Sequence, residues 1–557
     1  MRYCLFVALA CFLASLGPAA PVRAAGPLPR ILFDPVVQRD VQLPDFSYAG
    51  YGYGEVPLPQ SSGTVIEVTQ FGATPNDQRD DSNAVLAALA RANEVEGPVV
   101  IRFPAGRFIL SEVLLIERSH LIVEGAGQGR GGTELHFPRP LRMVDGSDRL
   151  ASLRAYLTEN DKRQVVPDRN IDEPFSIYSW SGGFIWSKSP DMPADTEYAT
   201  VNSSEEAMQA ILGIADSQDV TVAAGSNIRP GDVITIRWYS RDGRSSALLD
   251  SIYGTQTKEI GSRLWETPAR AIVKQTTRVT SVDAGRVRIA DRLLHDIGAD
   301  MPADIVPWRG LTEIGIRDLA FSFPVGTSFG HHLEEGWNAI CLTDIFNGWV
   351  RSVRISNADS GILIYNSASL TIRDITTEGE RKAHYSVHVG SAHNVLVSEL
   401  HVFNSVVHSL SFNTLSTRSV FQRASVFKDP VLDQHAGANH QNLFDDLRLH
   451  ITASPSNSGP TYALWDGSGA AYWQPGHGRF NTHWNIQLTV LSGATPLEIV
   501  TLNGLDEGPD ARVVGISGNR DFRVDYRPSP YVEMVNAFPR EVPSLYDWQL
   551  ARRLKQH

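Results

Sequence analysis

Five copies of one short pattern lie between Val350 and Leu449: Val350-Arg-Ser-Val-Arg-Ile, Leu370-Thr-Ile-Arg-Asp-Ile, Val395-Leu-Val-Ser-Glu-Leu, Ser419-Val-Phe-Gln-Arg-Ala and Gln441-Asn-Leu-Phe-Asp-Asp-Leu. Their starts are 20, 25, 24 and 22 residues apart. In each copy every second residue is apolar, the period of a strand with one buried face, and Asn, Gly, Ser or Asp follows at a bend. A strand-sized unit repeating at this interval, with no helical periodicity inside it, predicts a solenoid of stacked parallel coils.

Equal offsets in successive coils then fall one above another on the same wall. His384 is 14 residues after Leu370, His408 is 13 after Val395, and His435 is 16 after Ser419. This predicts a column of imidazoles, with Arg381, Lys382 and Tyr385 beside its first member and Asp433 two residues before its last. Such a cluster of titratable groups is the candidate site.

Outward from this stretch the chain changes character. Residues 1–25 read as a secretory signal: Arg2, an apolar run from Cys4 to Leu16, and small residues ending at Ala24 and Ala25. The protein is therefore expected to be secreted or periplasmic, with no membrane association once the signal is removed. Cys4 and Cys11 would leave with it, and Cys341 would remain as a core residue without a disulfide partner. Residues 26–63, rich in Pro, Gly and Tyr, form an extended lead-in. Residues 64–144 carry strand patterns and a helical run from Asn83 to Asn93. Residues 145–310 break the rhythm: the stretch 148–170 is charged, Phe175 to Trp186 is aromatic, and two segments, from Ile228 and from Arg278, look like antiparallel hairpins. Coils resume over 311–517, and 518–557 form a tail whose Arg552 and Arg553 mark a solvated helix end. The net charge of -12 and the pI near 5.7 exclude a general nucleic-acid binder, which needs a basic face.

The residues Phe71-Gly72-Ala73, Asp77, Asp80-Asp81-Ser82, the Ala-rich helix, Phe103-Pro-Ala-Gly106 and Glu124-Gly-Ala-Gly127, in that order, resemble the N-terminal cap and opening coils of the pectate-lyase-like right-handed β-helix superfamily. That group includes polysaccharide lyases, polygalacturonase-type hydrolases, epimerases and phage tailspikes. The resemblance covers residues 65–137, and the coil spacing extends it to about residue 490. It implies an all-β fold: a right-handed parallel β-helix with an N-terminal capping helix and an inserted antiparallel β-subdomain.

The reaction expected of such a groove is β-elimination from a uronic-acid polysaccharide. It needs a base beside the carboxylate, positive charge against the developing enolate, and an acid for the leaving oxygen. His384, His408, His435, Arg381 and Tyr385 are the expected catalytic groups. Lys382, Asn338, Trp337, Asp359, Asp433 and Trp465 are the expected substrate contacts. Trp349, Trp473 and Trp484 are further aromatic surfaces for sugar rings. A glycoside hydrolase would instead use paired carboxylates drawn from Asp359, Asp433 and Asp445-Asp446, with Gly476-His477-Gly478 nearby. A non-catalytic polysaccharide-binding protein is the third reading. No cofactor is expected; calcium is the one alternative left open, with no clear acidic cluster to hold it. No metal site is assigned either: His331 and His332 would point oppositely in a strand, so the stretch around them reads as a loop at the groove mouth.

Overall fold

A computed structural model describes residues 28–144, 176–192, 206–257, 259–326, 328, 330–467, 469–505 and 508–555. The signal segment, the charged stretch 148–170, Phe175 and Phe329 lie outside the described residues. The chain forms a right-handed parallel β-helix with a small antiparallel barrel beside it. In its longest sheet Val350 stands over Ile372, Ile372 over Val397, Val397 over Phe421 and Phe421 over Phe444. These are steps of 22, 25, 24 and 23 residues, so the first sequence repeat is offset by two from the true register. All five side chains are buried, and the alternate apolar residue of each copy builds one continuous core.

Left-handed residues bend the long strands, and one such position recurs from coil to coil. Asp318, Ser352, Asp374, Glu399, Arg423 and Asp446 occupy equivalent register positions and all have φ between 51° and 58°. Left-handed backbone costs an ordinary residue roughly 1–2 kcal/mol. Asp and Ser tolerate it through local hydrogen bonding, whereas Glu399 and Arg423 show that stacking imposes the bend even on residues that do not favour it.

The helix Ser82–Asn93 closes the first coil, burying Val85, Ala88, Leu89 and Ala92 on the core. Asp80 accepts the Ser82 amide at 2.8 Å, and Gly72, at φ 102°, makes the turn before it. A second parallel sheet runs from Leu114–Ile116 through Ile185–Ser187 and Asn338–Thr343 to Trp465–Asp466. Ile185–Ser187 is therefore a solenoid strand and not part of the insertion. Its apolar Ile and Trp complete a coil between Leu114–Ile116 and Asn338–Thr343, a role the interrupted rhythm hides in sequence. The insertion itself is a closed six-stranded barrel with strands between Met208–Gly213 and Ala303–Pro307. Its hairpin turns at Ala284 and Gly285, both with positive φ, between the paired Asp283 and Arg286.

Two expectations for the last 40 residues are corrected. Asp521–Val524 and Tyr531–Val535 are strands that continue the parallel sheets, so the solenoid does not stop at 517. Arg553 is not solvated: it donates to the Ser47 carbonyl at 2.8 Å, to the Tyr53 carbonyl at 2.6 Å and to Ser47 Oγ at 2.9 Å, and it pairs with Glu55. At the other end of the helix Leu545–Leu554, the buried Asp445 accepts from Ser544 Oγ at 2.6 Å and from the Leu545 and Tyr546 amides at 2.8 and 3.2 Å. The lead-in and this helix together cover the outer face of the long sheet, where Phe46, Trp484, Val514 and Leu545 pack. No helix among the described residues is long and apolar enough to cross a membrane.

Replacing Arg553 by Met keeps the length of the side chain and leaves two buried carbonyls without donors. The expected loss is about 1–3 kcal/mol of stability, read as a lower urea midpoint. An unchanged midpoint would show that water satisfies those carbonyls.

Candidate active site

The strands Ser360–Tyr365, Ala383–Val389, Val406–Asn413 and Leu432–His435 stack in the second sheet. Their register sets Tyr385 over His408, Ser411 over Asp433 and Asn413 over His435. The three histidines expected to form a column meet, although the register aligns His408 with Tyr385 and His435 with Asn413 and not with one another. The ring centroids of His384 and His408 are 5.2 Å apart, and those of His408 and His435 are 4.9 Å apart. Tyr385 stacks on His384 at 4.3 Å and on His408 at 5.1 Å.

Each imidazole of the column faces a carboxylate. His384 Nδ1 is 3.1 Å from Glu334 Oε1, and His408 Nδ1 is 3.3 Å from Asp433 Oδ2. His435 Nδ1 is 3.5 Å from the other Asp433 oxygen, and Ser411 Oγ donates to the same carboxylate. Neither the His384 nor the His408 contact meets hydrogen-bond geometry at Nδ1.

A loop over residues 330–337 brings in two residues that the sequence reading left out, His331 and Glu334. His331 Nε2 lies 3.2 Å from His384 Nε2 and 3.4 Å from His408 Nε2. The stretch is a loop, as expected, and the rings of His331 and His332 lie 3.8 Å apart. Strand alternation does not apply in a loop that turns through His332 at φ 68°. The density of His and Glu around positions 331–335 was the available signal.

Burial and mutual proximity set the charges. Burial, followed by the neighbouring histidines, lowers His331 to about 4 and His384 well below its ordinary value, so both are neutral near pH 7. Burial would raise Asp433, but His408 and His435 outweigh it and hold the carboxyl well below the usual range. Burial lowers His388, beside the column, to about 3.

A small cleft of about 40 Å³ opens against this cluster, lined among others by Trp180, His332, Tyr385, His388, His435 and Trp473. His384 and His408 sit behind it, 1–2% exposed. Several expected contacts are engaged elsewhere. Arg381 is buried, donates to the Asn357 and Pro324 carbonyls at 3.0 Å each, lies 3.7 Å from Asp359 and packs over Trp337. Asp359 accepts the Gly336 and Trp337 amides at 3.1 and 3.0 Å and so shapes the 330–337 loop; burial raises its carboxyl to about 6. Asn338 donates to the Tyr178 and Ser181 carbonyls, and Trp465 is sealed in the core against His483 and Tyr526. These four are structural because the coil closes around them. Lys382 is exposed. Of the groups named for the hydrolase reading, Asp445 anchors the C-terminal helix, Asp359 holds the loop, His477 is buried against Tyr526 and Asp433 faces the column.

Among the described residues two groups have ligand atoms close enough to share a metal ion, all within 4.8 Å of one another: His331, His384 and His408, and His408, Asp433 and His435.

No protein-family model matches the chain. A segment of 56 residues, 10% of this chain, is 43% identical to the Alpha-1,3-galactosidase A of Peterkaempfera griseoplana, and the match spans 8% of the length of that curated relative. Similar solved structures include the tailspike protein gp49 from Pseudomonas phage LKA1, with a TM-score of 0.44 and 12% identity over 85% of this chain and 79% of that one. The DFA-IIIase from Arthrobacter chlorophenolicus A6 in complex with DFA-III gives a TM-score of 0.37 and 12% identity over 82% and 84%.

The buried imidazoles make stability sensitive to acid. Among the described residues burial lowers eight histidines: His136, His295, His331, His384, His388, His440, His477 and His483. Four carboxyls move the opposite way, Asp81, Asp359, Asp445 and Asp446. Between pH 6.5 and about 4 the unfolded chain takes up protons on histidines that the folded chain refuses, so stability falls as pH falls. The raised carboxyls oppose this but are fewer. A urea midpoint that drops from pH 7 to pH 4.5 is expected, and a flat or rising profile would mean that the imidazoles are charged in the folded state.

Proposed function

We propose that the chain is an exported enzyme that cleaves an acidic, uronic-acid-containing polysaccharide by β-elimination. The observation that carries this reading is the His435–Asp433 pair at the edge of a cleft that also presents Tyr385. A long coil wall suits a linear polymer, and Trp180 and Trp473 in the lining offer flat surfaces for sugar rings. The short likeness to an alpha-1,3-galactosidase accords with a sugar substrate.

His435 is the base, in preference to His384 or His408, because it is the member of the column that lines the cleft. It takes the proton from the carbon beside the substrate carboxylate, and Asp433 stabilises the imidazolium that results. The electron pair forms a carbon–carbon double bond as the bond to the glycosidic oxygen breaks. Tyr385 donates a proton to that leaving oxygen. The cleft supplies little positive charge of its own: no Arg or Lys is among its described lining residues.

The test offers a panel of acidic polysaccharides to the purified chain and follows the ultraviolet absorbance of the unsaturated product beside a reducing-sugar assay. His435→Ala is expected to lower kcat by about 10²–10⁴-fold, with Tyr385→Phe in the same range. New reducing ends without absorbance would move the function to hydrolysis. Full activity in His435→Ala would remove this base.

A further inference from the structure

We infer that His331, His384 and His408 form a binding site for a divalent transition-metal ion of the zinc type. The three Nε2 atoms face one another, with His331 3.2 Å from His384 and 3.4 Å from His408. An ion bound tetrahedrally at about 2.0–2.1 Å from each nitrogen requires nitrogen–nitrogen edges of about 3.3–3.4 Å. The two edges from His331 match, and the ligand atoms of all three residues lie within 4.8 Å of one another.

The second observation is what stands behind the rings. Glu334 is 3.1 Å from His384 Nδ1 and Asp433 is 3.3 Å from His408 Nδ1. An unprotonated Nδ1 would set a lone pair against a carboxylate, so the ring proton belongs on Nδ1 and the lone pair on Nε2. Two buried lone pairs are thus aimed at the space that His331 closes. A carboxylate behind each ligating imidazole fixes the tautomer and the ring plane, the arrangement that tunes histidine metal sites. Without an ion, these nitrogens have at most a proton on His331 to share between them.

Donor chemistry selects the ion. Three neutral imidazoles suit zinc, cobalt, nickel or copper, whereas calcium needs an oxygen cage that this site does not offer. The alternative group of His408, Asp433 and His435 is less suited, because Asp433 already accepts from Ser411 and faces both imidazoles. His331 is exposed, which gives an ion a route from solvent.

The assignment stands on this geometry alone and does not depend on elimination chemistry. A consequence does rest on the elimination reading: Tyr385 stacks on both buried ligands, so the ion would bring beside the cleft the positive charge that its lining lacks.

The experiment reads metal and not turnover. The full chain is stripped with chelator, dialysed against zinc and its bound metal counted by elemental mass spectrometry, and cobalt is substituted for its visible spectrum. One zinc per chain, the intense visible bands of tetrahedral cobalt and a higher melting temperature with zinc are expected. His331→Ala, on the exposed loop, should remain folded by circular dichroism and lose the ion. Glu334→Gln should weaken binding about 10–100-fold. Absence of stoichiometric zinc, octahedral cobalt spectra, or zinc retained in His331→Ala but lost in His435→Ala would overturn the assignment. Since no substrate is present, a negative result here leaves the lyase assay unaffected, and a silent lyase assay leaves the metal count unaffected.

Discussion

A parallel strand cannot satisfy its own backbone. Each coil's amides and carbonyls find partners only in the coils above and below, so the solenoid is stable as a stack and its open ends must be closed. That constraint accounts for the parts of the molecule that are not coils. The helix Ser82–Asn93 covers the first turn of core, and Tyr531–Val535 is the last strand of the long sheet. The lead-in and the helix Leu545–Leu554 overlay the outer face and are tied to each other through Arg553.

Stacking also determines the chemistry at the site. Strands about 4.8 Å apart place in-register side chains at ring-stacking distance, which is why Tyr385 stacks on His408 in the adjacent coil. Imidazole is one of the few polar groups that fits such a column when buried, because it sheds its charge at moderate cost. A lysine or carboxylate ladder in the same place would carry repeated unscreened charge. Asp433 is tolerated because two histidines and Ser411 surround it.

The barrel and the solenoid share a buried polar seam. Asp291 meets His393 and Asn394 at 2.8 Å each, His295 meets His440 at 2.8 Å, and Arg418 reaches Asp216 and Gln441. Directional contacts of this kind orient the insertion on the coils, and the cleft lies near this side of the solenoid, where Trp473 joins the barrel core and the cleft lining.

The coil architecture was legible in the sequence because strand alternation and repeat spacing are local properties of the chain. Similar offsets of 14, 13 and 16 residues put His384, His408 and His435 on one wall, whereas their contact comes from side chains at different register positions reaching one another. What the sequence could not show was burial and the path of loops. Arg381, Asn338 and Trp465 have the chemistry of substrate contacts, yet the closing of the coil makes them structural. Ile185–Ser187 and the strands beyond residue 518 lie outside the regular spacing, so their place in the sheets came from pairing partners far along the chain. His331 and Glu334 reach the column through a loop with positive φ at Gly330, His332 and Gly336, a backbone path decided by tertiary packing and invisible to any periodicity.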